Sequence, residues 1–420
     1  MVTEKRGPVI VVGAGPVGMT AAAALANAGI ETVIVERSPE PQPDWRASTF
    51  HAATLELLEE IDITPPMLAE GLRVPRYQFR DRRTGLIAEF DLTLLADETR
   101  FPYRLQLNQQ RLVSLLWERL RTDPRVTLRF GTEAHDVRQT RDGVELTVRT
   151  PSGVETITGD HLIGADGAGS TVRKSLGLTF EGITYEERFL IVSTPWDMQV
   201  KLPGIAEVNY ISDPEEWLFI LRTPDAWRVL WPVPPDVDDA TALSDTEIQR
   251  HLQAVAHSDE EYPVIDTQIY RIHQRVAETF RTGRVALIGD AAHLNSPVGG
   301  VGLNSGIHDA FDLTRRLIRI RHDGADLDAE LDAFAAVRRQ IAVGHVQADT
   351  QRNTDRLREK DPELRRQSEL ELKQTAADPD RARQWLRRVS LLDSVRRFGV
   401  GLAPAETHSR LAAVLADGHA

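Results

Sequence analysis

Three glycines near the start of the chain have the spacing of a phosphate-binding loop. Gly13, Gly15 and Gly18 close the β-branched run Val9–Gly13 and open an alanine-rich segment, Pro16–Ala28. The first glycine permits a tight turn, the second lets the backbone approach a pyrophosphate, and the third lets helix and strand pack closely. The free N–H groups at the start of the helix favour bound phosphates. This segment therefore predicts a dinucleotide site.

A carboxylate at the end of the next strand narrows the choice of dinucleotide. Glu36 ends the strand-like run Glu31–Glu36, where a carboxylate can accept both hydrogen bonds of an adenosine ribose. The same charge would repel the 2′-phosphate of NADP. FAD and NAD both remain open at this site, and a glycine-rich turn without a ligand is the alternative.

Two later segments also deliver an aspartate from a buried strand to a glycine-rich loop. The first is LIGADG at 162–167, which continues to Arg173. The second is VALIGD at 285–290, which continues through a glycine-rich stretch at 297–304. Asp290 is placed to accept hydrogen bonds from hydroxyl groups. The glycines from 299 to 302 leave backbone N–H groups free to meet an anionic or carbonyl-bearing ring.

The elements that must position these loops are of the α/β class. Strand, helix and strand over residues 9–36 form a βαβ unit. Further helices are predicted at Ser48–Ile61 (capped by Ser48 or Thr49), Gln109–Leu120 and near Gly306–Arg319. Strand-like runs at 126–130, 143–150 and 154–158 predict a small antiparallel unit.

The middle and the end of the chain differ from this pattern. Four of the seven tryptophans fall between about 184 and 270, among strand-like runs, which predicts an inserted domain built on a sheet. The charge-dense segment from about 342 predicts helices, read as a solvated cap or as a docking surface for a second subunit. The predicted bounds are 1–75, 98–183 and 271–345 for the nucleotide-binding domain, 76–97 and 184–270 for the inserted domain, and 346–420 for the helical region.

Composition excludes several classes of function. The formal net charge of −13 argues against a broad nucleic-acid surface. The absence of cysteine excludes disulfides, thiolate chemistry and cysteine-based zinc sites, and it suits a reducing cytoplasm. No metal site is predicted. No stretch reaches the roughly 18 uninterrupted apolar residues of a membrane span.

Taken together, the three motifs resemble in order and spacing those of the single-component flavoprotein aromatic hydroxylases, the group that includes para-hydroxybenzoate hydroxylase. The resemblance covers residues 8–60, 105–180 and 280–320. It implies a Rossmann-type FAD-binding domain with an inserted, sheet-containing substrate domain. It also implies that NAD(P)H reduces the FAD, that O2 then gives a flavin C4a-hydroperoxide, and that one oxygen is transferred to a phenolic or hydroxylated heterocyclic small molecule. A monomer or homodimer is expected, without nucleic-acid or membrane partners.

The resemblance also implies roles for single residues in binding the ADP half of FAD. The glycine loop and Glu36 would hold the adenosine and the pyrophosphate, and Arg46 would lie near the pyrophosphate. Asp166 belongs to a motif tied to both FAD and pyridine-nucleotide handling. Arg173 is expected to support its loop by pairing with a carboxylate. An ordinary surface position is the alternative for Arg46.

For the flavin half, Gln109 would contact the ring, although a helix-surface role is its alternative. Asp290 would hold the ribityl chain and Pro297 would border the ring. N–H groups of Leu303 and Asn304 would stabilise negative charge on reduced flavin. The complete predicted cofactor-binding set is Gly13, Gly15, Pro16, Val17, Gly18, Glu36, Arg37, Arg46, Gln109, Asp166, Gly289, Asp290, Pro297, Gly300, Gly302, Leu303 and Asn304.

No catalytic base is predicted. The candidates near the inserted domain are each expected to serve packing or to lie at the surface: Tyr185, Tyr210 and His273. Structural roles are also the expectation for three histidines beside the predicted flavin: His51, His293 and His308.

Three other functions fit parts of the pattern. A flavin-dependent halogenase would carry a Trp-x-Trp-x-Ile-Pro stretch and a catalytic lysine, and the nearest run here is Trp217-Leu-Phe-Ile-Leu. An FAD-dependent dehydrogenase or reductase would give a product without a new oxygen atom. A non-catalytic FAD-binding module would show no substrate-stimulated NAD(P)H oxidation.

Overall fold

Strands and helices alternate through the first three quarters of the chain, and helices alone follow. The computed structural model describes residues 6–42 and 47–416. The strands of this part are β1 Val9–Val12, β2 Thr32–Val35, β3 Thr49–Phe50, β4 Leu72–Val74, β5 Arg76–Asp81, β6 Gly85–Asp91, β7 Arg104–Gln106, β8 Val126–Arg129, β9 Glu133–Gln139, β10 Val144–Thr150, β11 Gly153–Gly159, β12 His161–Gly164, β13 Phe180–Thr194, β14 Val208–Ser212, β15 Leu218–Arg222, β16 Trp227–Val233, β17 Asp266–Ala277, β18 Arg281–Thr282, β19 Val285–Leu287 and β20 His293–Leu294.

The α-helices of the same residues are α1 Pro16–Asn27, α2 Ala52–Glu59, α3 Thr64–Glu70, α4 Gln109–Leu120, α5 Thr171–Ser175, α6 Met198–Lys201, α7 Asp239–Ala242, α8 Asp245–Val255, α9 Gly302–Ile318, α10 Leu327–Ile341, α11 Ala348–Arg358, α12 Pro362–Ala377, α13 Pro379–Val389, α14 Leu392–Phe398 and α15 Pro404–Ala416. Short 3-10 turns lie at Leu92–Leu95 and Gly289–Ala291. Within the described residues, no helix is long and apolar enough to cross a membrane.

The first sheet brings three loops to one edge. Its order is β8-β2-β1-β12-β19-β18, and the first five strands are parallel. The central strands β1 and β12 are buried throughout, which is why they read as continuous apolar runs. The carboxyl ends of β1, β12 and β19 meet at one edge, so the loops that follow them converge there. We call the loop after β1 the first loop, the loop after β12 the second loop, and the loop that leads from β19 into α9 the third loop.

Helices α1 and α9 pack closely across this edge because small residues separate them. A Cβ at Gly306 would lie 2.8 Å from Cγ2 of Val17 and 3.0 Å from Cα of Gly289. Glycine at 306 therefore sets how near α9 comes to the first loop. The contact fixes the two helix N-termini relative to each other.

The second sheet has eight strands in the order β20-β17-β13-β16-β15-β14-β5-β6. The pair β14–β5 is parallel and the other pairs are antiparallel. The segment 76–91 thus joins the strands of the middle region, as the sequence-based interpretation groups them. The exact domain bounds stay a prediction, and β13 and β17 run past them, to Phe180 and to Ala277.

Two small antiparallel sheets complete the strands. One has the order β11-β10-β9 and contains the predicted runs at 143–150 and 154–158. The run predicted at 126–130 is not part of it: this run is β8, which pairs parallel with β2 in the first sheet, and β9 takes its place beside β10. The other has the order β3-β7-β4 and corrects the predicted start of a helix at Ser48. Thr49 pairs with Gln106 in this sheet, and its Oγ1 donates to Oε1 of Gln106 at 3.1 Å. Because this side chain is engaged with the strand, α2 begins at Ala52 with His51 as its N-cap.

Two further predicted bounds also move. The helix predicted near Gly306 begins at Gly302, because the glycines before it turn the chain directly into the first helical turn. The strand predicted at Val285–Gly289 ends at Leu287. Gly289 has a φ of +58°, a left-handed conformation that ends extended structure.

The C-terminal helices dock on the second sheet of the same chain. Nε1 of Trp385 donates to the hydroxyl of Tyr77 at 2.7 Å. The guanidinium of Arg365 lies 2.5 Å from the carboxylate of Asp81. Glu98, which follows the 3-10 turn at Leu92–Leu95, accepts from three arginines of α13 and α14: Arg383, Arg387 and Arg396. The predicted helical region is therefore part of the wall behind the second sheet.

Replacing Glu98 with glutamine is expected to weaken this docking. The hydrogen bond from Arg387 is the main cause that holds the pKa of Glu98 at about 2, below the ordinary 4.5. Removing the charge should lower the free energy of unfolding by about 1–2 kcal/mol, the lower range for charge-assisted hydrogen bonds, since the arginines are partly exposed. Urea unfolding measures the change. Glu363→Gln, which alters an exposed pair within α12, is the control, and an equal effect in both variants would contradict the prediction.

Candidate functional site

The main cavity lies between the loops of the first sheet and the face of the second sheet. Its volume is ≈ 410 Å³, and it runs from Gly15 in the first loop to Tyr210 in β14. One end is formed by glycine-rich backbone and the other mostly by apolar side chains, with Arg271 and His273 of β17 also in the lining. An elongated dinucleotide with a planar ring at one end matches this division.

The first loop has the geometry that the sequence analysis expects of a pyrophosphate-binding turn. Gly13 has a φ of +105°, and a Cβ there would lie 2.3 Å from the carbonyl oxygen of Ala165, so only glycine fits. A Cβ at Gly18 would lie 2.1 Å from the carbonyl oxygen of Gly13. A Cβ at Gly15 would meet no protein atom within 4 Å, because this glycine borders the main cavity. The space that a side chain would fill is thus left open for a ligand.

Backbone N–H groups hold the carboxylate of Glu36. Its Oε2 accepts from the N–H of Ala14 and its Oε1 from the N–H of Ser38, each at 2.9 Å. Each oxygen keeps a lone pair for a ribose hydroxyl. Arg37 is exposed and does not line the main cavity. Arg46 lies outside the described residues.

The second loop is fixed by its own side chains. The carboxylate of Asp166 accepts from Oγ of Ser170 at 2.6 Å and from the N–H of Val172 at 3.0 Å, so it caps α5. Arg173 donates to the carbonyl oxygens of Ala168 and Ala291, each at 2.8 Å. This arginine supports the loop through carbonyls rather than through a carboxylate. Ala165, Gly167 and Ala168 line the main cavity, whereas Asp166 does not.

Most of the predicted cofactor-binding residues that line the main cavity come from the third loop. The predicted members in this loop are Asp290, Pro297, Gly300, Gly302 and Leu303. The first N–H groups of α9 have no partner within the helix and point their positive dipole end at the cavity. The predicted members Pro16, Val17 and Gln109 line the cavity from the other side.

The side chain of Asn304 has a structural task. It is fully buried, and its Nδ2 donates to the carbonyl oxygens of Thr49 and Gly300 at 2.8 and 2.7 Å. Its Oδ1 accepts from the N–H of His51 at 2.9 Å. Asn304 therefore ties β3 to the glycine-rich loop. Only its backbone N–H is left for the predicted role toward the flavin.

Histidines beside the loops make structural contacts. Nε2 of His51 lies 3.0 Å from the carbonyl oxygen of Gly299, and Nε2 of His308 lies 3.0 Å from Oγ1 of Thr54. Burial lowers the pKa of both histidines to about 3, so they are neutral near pH 7. Nε2 of His293 lies 2.8 Å from the carboxylate of Asp309.

Asp309 and Arg338 form a buried network that sequence reasoning missed. Oδ2 of Asp309 accepts from the N–H of Gly289 at 3.0 Å, and its Oδ1 accepts from Nε of Arg338 at 2.6 Å. The network joins the third loop to α9 and α10. The available signal was the spacing of Asp309, Asp312 and Arg316, which places charged residues on one buried face of α9.

The far end of the main cavity is an apolar wall of the second sheet. Its side chains come from β14 to β17 and include Val208, Tyr210, Phe219, Leu221, Leu230 and Ile272. Such a wall can hold an aromatic ring and exclude water from it. Among the described residues, no cluster of His, Asp and Glu could hold a metal ion.

Comparisons with known proteins agree with this geometry. A family model described as an FAD binding domain matches residues 6–349. The chain is 32% identical over 387 residues to para-nitrophenol 4-monooxygenase of a Pseudomonas species, which covers 90% of this chain and 94% of that protein. It is 34% identical over 336 residues to 6-hydroxy-3-succinoylpyridine 3-monooxygenase of Pseudomonas putida, covering 79% of this chain and 84% of that protein.

A solved structure gives the same result. The p-nitrophenol 4-monooxygenase of Pseudomonas putida superimposes with a TM-score of 0.87 at 30% identity, over 92% of this chain and 98% of that one. The chain therefore belongs to the single-component FAD-dependent aromatic hydroxylases. It is an enzyme, an aromatic monooxygenase with FAD as its cofactor, which confirms the resemblance seen in the three motifs.

Proposed function

We propose that the enzyme hydroxylates a small phenolic ring or a hydroxylated N-heterocycle with NAD(P)H as the reductant and O2 as the oxygen donor. The supporting observation is the main cavity, which joins a pyrophosphate loop to an apolar compartment walled by β14 to β17. The two relatives named above act, by their names, on a phenol and on a hydroxypyridine. The balanced reaction consumes ring C–H, O2, NAD(P)H and a proton, and gives ring C–OH, NAD(P)⁺ and water.

When bound, FAD supplies the redox chemistry: it accepts a hydride from NAD(P)H and transfers the electrons to O2. The role of the protein is to bind the cofactor and to orient it. Glu36 is positioned to hold the adenosine ribose, and Asp290 is positioned for hydroxyl groups of the ribityl chain. The N-terminus of α9 at Leu303 places positive potential where negative charge develops on the reduced ring.

Water exclusion is the other task of the protein. The apolar side chains of the second sheet face the cavity where the ring would lie, among them Phe219 and Leu230. Water admitted to this compartment would divert the oxygen chemistry that FAD supplies toward hydrogen peroxide. The wall thus couples consumption of NAD(P)H to hydroxylation.

The test is oxygen incorporation. Purified holoenzyme is mixed with NADH or NADPH under ¹⁸O2, with 4-nitrophenol, 4-hydroxybenzoate or 6-hydroxynicotinate as substrate. We expect one compound to accelerate NAD(P)H oxidation and to gain an ¹⁸O atom. Substrate oxidation without label would replace the proposal with a dehydrogenase or reductase. NAD(P)H oxidation that no aromatic compound accelerates would reject it altogether.

A further inference from the structure

Arg104 in β7 is a buried cation that pairs with no carboxylate among residues 6–42 and 47–416. The residue is 2% exposed, and its Nη1 donates to the hydroxyl of Tyr210 at 3.0 Å. Among the other buried arginines, Arg316 pairs with Asp312 and Glu330, and Arg338 pairs with Asp309. Arg173 instead donates to two backbone carbonyl oxygens. In the described part of the chain, no Asp or Glu lies within ion-pair distance of Arg104, and its Nε has no hydrogen-bond partner.

Such an arrangement is costly unless another group offsets the charge. Taking a cation out of water without a partner is strongly unfavourable. The ring of Tyr77 offsets part of this cost, because the guanidinium carbon of Arg104 lies 3.9 Å from the ring centroid. The face of an aromatic ring does not use the N–H groups of the guanidinium. Donors of Arg104 therefore remain for an acceptor that the protein does not provide.

Tyr210 links this cation to the main cavity. Its hydroxyl oxygen accepts from Arg104, so its own proton must be donated elsewhere, and no protein acceptor lies within hydrogen-bond distance among the described residues. Its side chain borders two cavities, the main cavity and a much smaller one of ≈ 30 Å³. We call the smaller one the inner cavity; Tyr77, Arg104, Gly299, Asp349 and Trp385 are among its lining.

The inner cavity has no free anion of its own. The one carboxylate in its lining, Asp349, accepts twice from Nε of Arg388 at 2.8 Å and also pairs with Arg352. The cavity meets the main cavity at Tyr210 and Gly299, which line both. A ring substituent that meets Tyr210 in the main cavity is thus one hydrogen bond away from Arg104.

We propose that Arg104, together with Tyr210, is a specificity-determining pair that recognises an anionic oxygen group on the aromatic substrate. This inference rests on the proposed function and specifies its substrate class: rings that carry a carboxylate or a phenolate oxygen. Guanidinium and phenol donors both suit such an oxygen, and the bond to a charged acceptor is of the strong kind. A neutral ring of the same shape leaves the cation unpaired.

The test is equilibrium binding to the FAD-loaded enzyme, followed by the change in flavin absorbance. Two ligand pairs separate the two anions: 4-hydroxybenzoate against 4-hydroxybenzyl alcohol, and ionised 4-nitrophenol against 4-nitroanisole. In the wild type we expect the anion of at least one pair to bind at least about tenfold tighter, the factor that one charge-assisted hydrogen bond supplies. Arg104→Met should remove this preference and leave the affinity for the neutral ligand unchanged.

Controls separate recognition from folding. Arg356→Met removes an arginine that also stacks on an aromatic ring, Trp385, but lies outside the inner cavity; it should keep the preference. Arg104→Lys retains the charge and should recover part of it. If Arg104→Met does not fold, Tyr210→Phe replaces it and should lower the preference several-fold.

Three results would overturn the inference: a wild type without preference for the anion in either pair, Arg104→Met with an intact preference, or Arg356→Met with an equal loss. Because binding is measured without turnover, its outcome is independent of ¹⁸O incorporation. Loss of anion preference in Arg104→Met with no labelled product would reject the proposed function but keep the recognition site. If the wild type gives labelled product but binds the anionic and neutral ligands equally well, the proposed function would stand and the recognition site would be rejected.

Discussion

Gly15→Ala is expected to abolish FAD binding while the fold stays intact. Gly15 has a φ of −73°, which alanine adopts readily, and a new Cβ would meet no protein atom within 4 Å. The methyl group would instead occupy the space beside the helix N-terminus that the pyrophosphate needs. We expect FAD affinity to fall at least about 100-fold, or about 3 kcal/mol. Titration of the apoprotein with FAD, followed by flavin fluorescence, measures the loss.

The matched control is Gly169→Ala. Gly169 also has open space around it and no left-handed φ, but it does not line the main cavity. The Gly169→Ala variant should bind FAD with the affinity of the wild type. Gly13→Ala is the opposite case, because its Cβ would collide with the backbone of Ala165 and the fold itself should weaken. Wild-type FAD affinity in Gly15→Ala would show that the pyrophosphate does not lie at this loop.

Asp309→Ala is expected to cause the largest loss of stability. Asp309 is fully buried and binds Arg338, His293 and the N–H of Gly289. Removing it leaves the guanidinium of Arg338 buried and without an anion, which costs about 3–5 kcal/mol. Urea unfolding measures the difference. Asp328→Ala, which removes an exposed partner of Arg281, should change the stability by less than about 1 kcal/mol. Similar losses in the two variants would contradict the prediction.

The same network makes a prediction about acid. Burial alone would raise the pKa of Asp309, but the charge of Arg338 and the hydrogen bond from His293 hold it at about 2, below the ordinary 3.8. The folded state therefore binds this proton more weakly than the unfolded state. The stabilisation from Asp309 is fully present above pH 3.8 and is lost as the pH falls toward 2. In Asp309→Ala, the unfolding free energy should fall less steeply over this window.

Local sequence chemistry predicted where the glycine-rich turns of the first sheet lie. Gly13, Gly15 and Gly18 lie where a tight turn, an open space and a close helix contact require glycine. These requirements are local, because each glycine is needed either for its own φ angle or for the closeness of its neighbouring atoms. The same reasoning placed Asp290 and Leu303 at the cavity. Whether they contact FAD as expected stays a prediction.

The substrate side depends on contacts between distant segments, which periodicity cannot reveal. No motif singles out Arg104 in the sequence, yet it is buried in contact with Tyr210 and Tyr77. Asp166 shows a different limit. Its motif placed the right loop, but its carboxylate is engaged in capping α5. A motif fixes a backbone path more reliably than it fixes the target of a side chain.

The docking of α13 and α14 on the second sheet has a consequence for how new specificities arise. These helices contribute Trp385, Arg388 and Ser394 to the inner cavity, whereas no residue beyond Leu303 lines the main cavity where the cofactor loops converge. Substitutions on the helices can therefore reshape the ligand end while the nucleotide loops keep their geometry. Evolution or a library of variants can change substrate preference here at little cost to the oxidative machinery.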